Sequence, residues 1–164
     1  MPLHELLGGE RIAILTEPGD RGSVLDAAAR LLADPLAGGD RTDLCNSIGR
    51  SLHTRERLAS TAIGHGVAIP HGRVRGLEER RGAFLRLADP VDFGALDGQP
   101  VDLVLAMAIP EHSLQEHLQQ LAELAERFAD EGFRERLRNA RNTVELGRCL
   151  FEPATEGASR TTVA

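Results

Sequence analysis

The 164-residue sequence contains no tryptophan, no tyrosine and no lysine, and only 3% of it is aromatic. Its core must therefore be assembled from Leu, Ile, Val, Ala and a few Phe, and stacking on bases or sugar rings is poorly provided for. All 19 basic residues are arginine, spread along the chain against 25 acidic ones for a formal net charge of -6, which argues against a nucleic-acid partner. Cys45 and Cys149 stand far apart and form no C-x-x-C pair, so the usual signs of a zinc site or a redox dithiol are missing. Both are expected to be reduced and structural. No apolar run approaches the roughly 20 residues needed to cross a bilayer. The opening residues 1–15 carry acidic groups and no long apolar stretch, so no membrane insertion and a cytoplasmic location are expected.

What is present is an ordinary globular composition, 41% hydrophobic and 27% charged. The length suits one domain, expected over residues 1–150, with residues 151–164 forming a disordered tail. The run at residues 11–15 suits a first strand, closed by Glu17, Pro18 and Gly19. Apolar residues at helical spacing predict helices over 23–33 and 40–55, the second carrying Leu44, Ile48 and Leu52 four apart with Arg55 near its end. Residues 59–72 are rich in Gly, Ser, Thr and Pro and read as a loop with a short strand at 67–69, leaving His71 at its end. Buried strands are expected at 83–87 and 101–109, the latter apolar enough to be covered on both faces, with a turn at Asp97 and Gly98. Ser113 and Glu116 make a capping box before a helix reaching Phe128; further helices are expected at 133–140 and 144–150, the last capped by Asn142 or Thr143. Strands alternating with helices predict an α/β single-domain layered sandwich with a central mixed β-sheet flanked by helices.

Chemistry concentrates at two strand ends, where His65, His71, His112 and His117 fall. His71 is held by Pro70, while Gly72 allows close approach from outside and Arg73 adds a cation. A neutral imidazole so placed is a competent nucleophile toward phosphorus, forming a labile phosphoramidate. The anionic group in transfer calls for donors and cations, and Arg55, Ser60, Thr61, Arg73 and His117 are the candidates. His117 lies in the first turn of its helix, where free amides favour an anion. Blander roles compete: Arg55 as a helix C-cap, Arg73 as a solvated charge, Ser60 and Thr61 as turn hydroxyls, His65 and His112 as inert surface groups.

The block from Arg55, Glu56, Arg57 and Leu58 through Ser60, Thr61, Gly64, His65 and Gly66 to Ile69, Pro70, His71, Gly72 and Arg73 resembles the active-site block of the fructose/mannitol-type IIA domains of the phosphoenolpyruvate-dependent phosphotransferase system. A second block, Phe93 to Val104 and on through Pro110 to His117 and Leu118, is similar to the same family in the same order. The layout is most similar to the nitrogen-regulatory branch. The resemblance implies an α/β sandwich with no metal and no organic cofactor. It implies phosphorylation on His71, a second active-site histidine at His117 and a nearby arginine at Arg55, with Ser60, Thr61, Gly72 and Arg73 in support. The implied donor is a histidine-phosphocarrier protein, and the implied targets are regulatory proteins or a IIB domain. His65 departs from the family, where Asn is frequent at that step, and the N-terminus lacks the basic pair often seen there.

The expected function is thus a phosphocarrier that regulates through its phosphorylation state; the alternative is a sugar-transport component passing the group to a separate IIB domain. A contact-only module is disfavoured by the joint presence of His71, Arg55 and His117. A metal hydrolase built on His65, His71 and His117 is disfavoured because no H-x-x-x-H pair or nearby carboxylate completes a ligand set. Docking of a carrier predicts an apolar rim around His71, with Ala62, Ile63, Ala68 and Ile69 as candidates.

Overall fold

The computed structural model describes residues 3–33, 41–112 and 114–152. Its centre is β6 (Val101–Pro110), whose side chains are buried on both faces apart from the half-buried Asp102. One edge of β6 pairs antiparallel with β5 (Arg81–Val91), Phe84 lying opposite Leu105, and β5 in turn pairs parallel with β1 (Ile12–Leu15). The other edge is shared by two short parallel strands, β3 (Val67–Ala68) and β4 (His71–Val74). A further short strand, β2 (Ala62–Gly64), pairs antiparallel with β3 and completes a mixed sheet of 6 strands.

The two short strands keep one register along β6. Val67 pairs with Leu103 and Ala68 with Val104; after the break, His71 pairs with Met107 and Gly72 with Ala108. β3 and β4 are therefore one strand interrupted at Ile69 and Pro70. Proline has no N–H to give to a ladder, which explains an interruption here. The Pro70 carbonyl still accepts from Met107 N–H at 2.9 Å, so the chain re-enters the ladder with His71 in register.

Helices cover both faces of the sheet. On one side lie α2 (Arg21–Leu32) and α3 (Arg41–Leu58), whose Val24, Leu25, Ile48 and Leu52 join Leu85, Val104 and Ala106 in one apolar cluster. On the other lie α1 (Leu3–Leu7), α4 (Leu114–Phe128), α5 (Glu131–Asn139) and α6 (Thr143–Phe151), bringing Leu6, Phe128, Phe133 and Leu150 against Phe84, Leu105 and Met107. The alternation of Phe84 and Leu85 between the two clusters is the two-residue period of a strand. Phe84 and Phe128 stack with centroids 6.2 Å apart, and Phe133 meets Phe128 edge-on at 5.2 Å. Truncating one of these rings to alanine removes about 3–5 kcal/mol.

The layered sandwich matches the architecture expected from the sequence, with differences at short elements. Asn142 caps α6 by accepting from Glu145 N–H, while Asp20 and Asp130 cap α2 and α5. α3 runs to Leu58, nearly one turn beyond the expected end. α1 is too short for a periodic signal to stand out; Arg11 holds its end, donating to the Leu6 carbonyl at 2.8 Å and to Gly82 of β5 at 2.9 Å. The segment expected as a loop with one strand is instead three strands of two to four residues, since tertiary pairing, not local pattern, defines them. Ser113 of the expected capping box and residues 153–164 of the expected tail lie outside the described residues.

Candidate active site

His71 opens β4, and its ring is fixed by its own chain. Nδ1 lies 2.9 Å from the Ile69 carbonyl oxygen. A carbonyl only accepts, so Nδ1 carries the proton and Nε2 keeps its lone pair. Burial, the largest influence, lowers the His71 pKa below its usual value of 6.5; the Ile69 hydrogen bond opposes this, Arg55 reinforces it and Glu56 opposes it. The imidazole is therefore neutral at pH 7.

The ring faces a cleft of about 680 Å³ between the C-terminal half of α3 and the first turns of α4, walled by Arg50, Thr54 and Arg55 on one side and His117 and Leu118 on the other. The His117 ring sits 5.1 Å from that of His71, tilted by 60°. His117 is only 4% exposed, and its Nδ1 has no hydrogen-bond partner. Burial, with repulsion from His71, Arg80 and Arg73, pushes its pKa down to about 4. An unpartnered buried ring nitrogen is costly unless a ligand meets it.

Arg55 lines the cleft and also donates to the Ala59 carbonyl at 2.8 Å, so a place at the cleft and a capping bond coexist. Arg73 lines the cleft with an exposed side chain, while its carbonyl accepts from Ser51 Oγ at 2.7 Å. Gly72 lines the cleft beside His71, and its bareness also lets α3 pack close, since a Cβ there would come 2.9 Å from the Ser51 carbonyl carbon. Ser60 and Thr61 depart from the expected phosphoryl support because their hydroxyls are engaged elsewhere. Ser60 Oγ donates to the Phe93 carbonyl at 2.5 Å, and Thr61 Oγ1 donates to Glu56 Oε1 at 2.7 Å.

His65 sits at a turn with φ 58°, its N–H donating to Asp97 Oδ2 at 2.9 Å, and neither it nor the exposed His112 lines the cleft. Ala68 and Ile69 are buried and cannot form a rim, whereas Ile63 is exposed. The exposed apolar side chains at the cleft itself are Leu58 and Leu118, 79% and 58% accessible. Arg50, Ser51, Thr54 and Leu58 were not anticipated. Their helical spacing was the available signal, since Ser51 precedes Arg55 by one turn and Arg50, Thr54 and Leu58 follow at intervals of four. Among the described residues, no group of three or more His, Cys, Asp or Glu is placed to hold a metal ion, and no helix is long and apolar enough to cross a membrane.

Two facing histidines in an arginine-walled cleft of an α/β/α sandwich offer the donors and cations that a phosphoryl group calls for. Residues 5–152 match the family model described as phosphoenolpyruvate-dependent sugar phosphotransferase system, EIIA 2, and the chain belongs to that family. It is similar to a nitrogen regulatory protein of Bradyrhizobium diazoefficiens, 34% identical over 96% of this chain and 100% of that one. A nitrogen regulatory protein of Pseudomonas aeruginosa is 38% identical over 84% of this chain and 87% of its own length. The crystal structure of nitrogen regulatory protein IIA-Ntr from Neisseria meningitidis superposes with a TM-score of 0.79 at 35% identity, covering 90% of this chain and 98% of that one.

Proposed function

We propose that the chain is a cytoplasmic phosphocarrier whose His71 Nε2 accepts a phosphoryl group from a histidine-phosphocarrier protein, and whose phosphorylation state regulates target proteins. The observation that carries this reading is the Nδ1 hydrogen bond to Ile69, which leaves Nε2 as the nucleophilic nitrogen at the cleft. In the transfer, the Nε2 lone pair bonds to phosphorus as the donor's P–N bond breaks, its electron pair returning to the donor imidazole. The proton on Nδ1 stays against the Ile69 carbonyl. Arg55, anchored on the Ala59 carbonyl, and the exposed Arg73 supply cations for the equatorial oxygens, and neutral His117 an N–H donor. A dianionic phosphoryl group beside His117 would offset the burial and the repulsion that keep it neutral, raising its pKa and favouring a charged hydrogen bond. Leu58 and Leu118 supply apolar contact for the donor, and the IIA domain is taken to end near residue 150.

The test is intact-mass analysis after incubation with phosphoenolpyruvate, the general phosphotransferase enzyme and a histidine carrier. A single acid-labile phosphoryl gain that disappears in His71→Ala is expected; no gain with any active carrier overturns the reading. Preference among nitrogen-branch and sugar-branch carriers separates regulation from the alternative, delivery to a IIB domain.

A further inference from the structure

Glu56 is a carboxylate only 3% exposed, one residue after Arg55, and the phosphocarrier reading gives it no part. Both of its oxygens are used on one residue: Oε2 accepts from Thr61 N–H at 2.8 Å and Oε1 from the Thr61 hydroxyl at 2.7 Å. The Thr61 carbonyl accepts in turn from Ile69 N–H at 3.1 Å, and the Ile69 carbonyl holds His71 Nδ1 at 2.9 Å. Ile69 lies in the break between β3 and β4, where the sheet ladder does not fix it. Something else must set the direction of its carbonyl, and the α3 carboxylate is tied to it through Thr61.

We propose that Glu56 is a positioning residue for phosphoryl transfer: by clamping Thr61 it aims the Ile69 carbonyl that holds His71 in the Nδ1–H tautomer, so that Nε2 faces the incoming phosphorus. The inference rests on His71 being the acceptor, but its first consequence, the tautomer, exists before any phosphoryl group arrives. A carboxylate suits the task because two donors of one residue, a peptide N–H and a hydroxyl, meet two acceptor oxygens with none left over. Bidentate attachment also restricts rotation about the link, which a single bond would not. A tautomer error presents a protonated nitrogen to the electrophile, and a small misplacement of the ring is costly on its own.

Long-range proton–nitrogen NMR of the imidazole rings in the full chain, together with single-turnover phosphorylation by a histidine carrier, tests the proposal in Glu56→Gln, Thr61→Val and Thr61→Ser. Wild type and Thr61→Ser should show His71 as Nδ1–H. Glu56→Gln and Thr61→Val should show a mixed tautomer and a transfer rate lower by about tenfold to a hundredfold at unchanged carrier affinity. Folded Glu56→Gln and Thr61→Val proteins with the wild-type tautomer and rate overturn the proposal. If both variants unfold while Thr61→Ser folds, the clamp holds the fold and not the ring, which also overturns it. A wild type that shows the Nδ1–H tautomer yet accepts no phosphoryl group removes the carrier reading, a result distinct from failure of the clamp.

Discussion

The two walls of the cleft are built on different electrostatic terms. α3 brings permanent charge, with Arg55 anchored to the Ala59 carbonyl and Arg50 one turn and a residue earlier. α4 brings His117, which burial and neighbouring cations hold neutral. An arginine cannot lose its proton at any pH the protein meets, whereas a histidine at the same place answers to whatever stands beside it. A phosphocarrier of the kind proposed, which alternates between holding a dianion and standing vacant, would gain from this division: one wall would attract the group, and the other would change charge only once the group is present. Two imidazoliums together with the arginines would make the vacant state repulsive.

Breaking the α3 wall should have the largest effect. Arg55→Ala is expected to lower the single-turnover rate of phosphoryl acceptance by about a hundredfold to a thousandfold, with Arg55→Lys recovering only part. A greater loss from the α4 side would reverse the assignment of roles. His117→Ala should cost about tenfold to a hundredfold in the same assay, and it should also flatten the acid branch of stability. In the folded chain the pKa of His117 is pushed down to about 4 from its ordinary value of 6.5. The unfolded chain therefore binds the extra proton first, so stability is complete above the unfolded value, declines as pH falls from there, and stops declining below the folded value. Denaturant titrations of wild type at pH 7 and pH 4.5 should differ by about 2–3 kcal/mol more than those of His117→Ala; equal differences would mean that His117 is not held neutral by the fold.

Smaller effects sharpen the comparison at its edges. Leu58→Asp on the α3 side and Leu118→Asp on the α4 side should each raise the KM for the carrier by about tenfold, the loss of one apolar anchor, with kcat little changed. A response on one side only would show that the carrier leans on a single wall. His65→Asn, remote from both walls, should leave transfer untouched and stabilise the chain by about 0.5–1 kcal/mol in thermal unfolding, because Asn tolerates the left-handed conformation found there.

That last position also shows why parts of the site were legible in the sequence and others were not. Pro70, His71 and Gly72 announced a held imidazole, and the unbroken apolar run of β6 announced a strand covered on both faces. Helical periodicity located α2, α3 and α4 because each is long enough to repeat it. His117 was placed correctly in a first turn, but its depth and missing partner depend on packing. Ser60 and Thr61 look identical to phosphate-binding hydroxyls on paper; only the carbonyl of Phe93 and the carboxylate of Glu56, brought in by the fold, decide otherwise. His65 holds a left-handed backbone conformation that would suit the Asn frequent at this step, and no list of side-chain chemistries contains that geometry.

The common register of β3 and β4 along β6 sets a limit on how this protein can vary. Because Val67 meets Leu103 and His71 meets Met107 at the same offset, the two residues of the break occupy the space of two ladder positions and no more. Deleting or inserting one residue there would turn every following side chain of β4 to the opposite face, sending His71 toward Ser51 and the body of α3 and a neighbour into the cleft. Substitutions in the Ile69–Pro70 step can be graded in their effects, but changes of length cannot: the spacing behaves as a parity check, in which a single slip would put the His71 imidazole on the wrong side of the sheet.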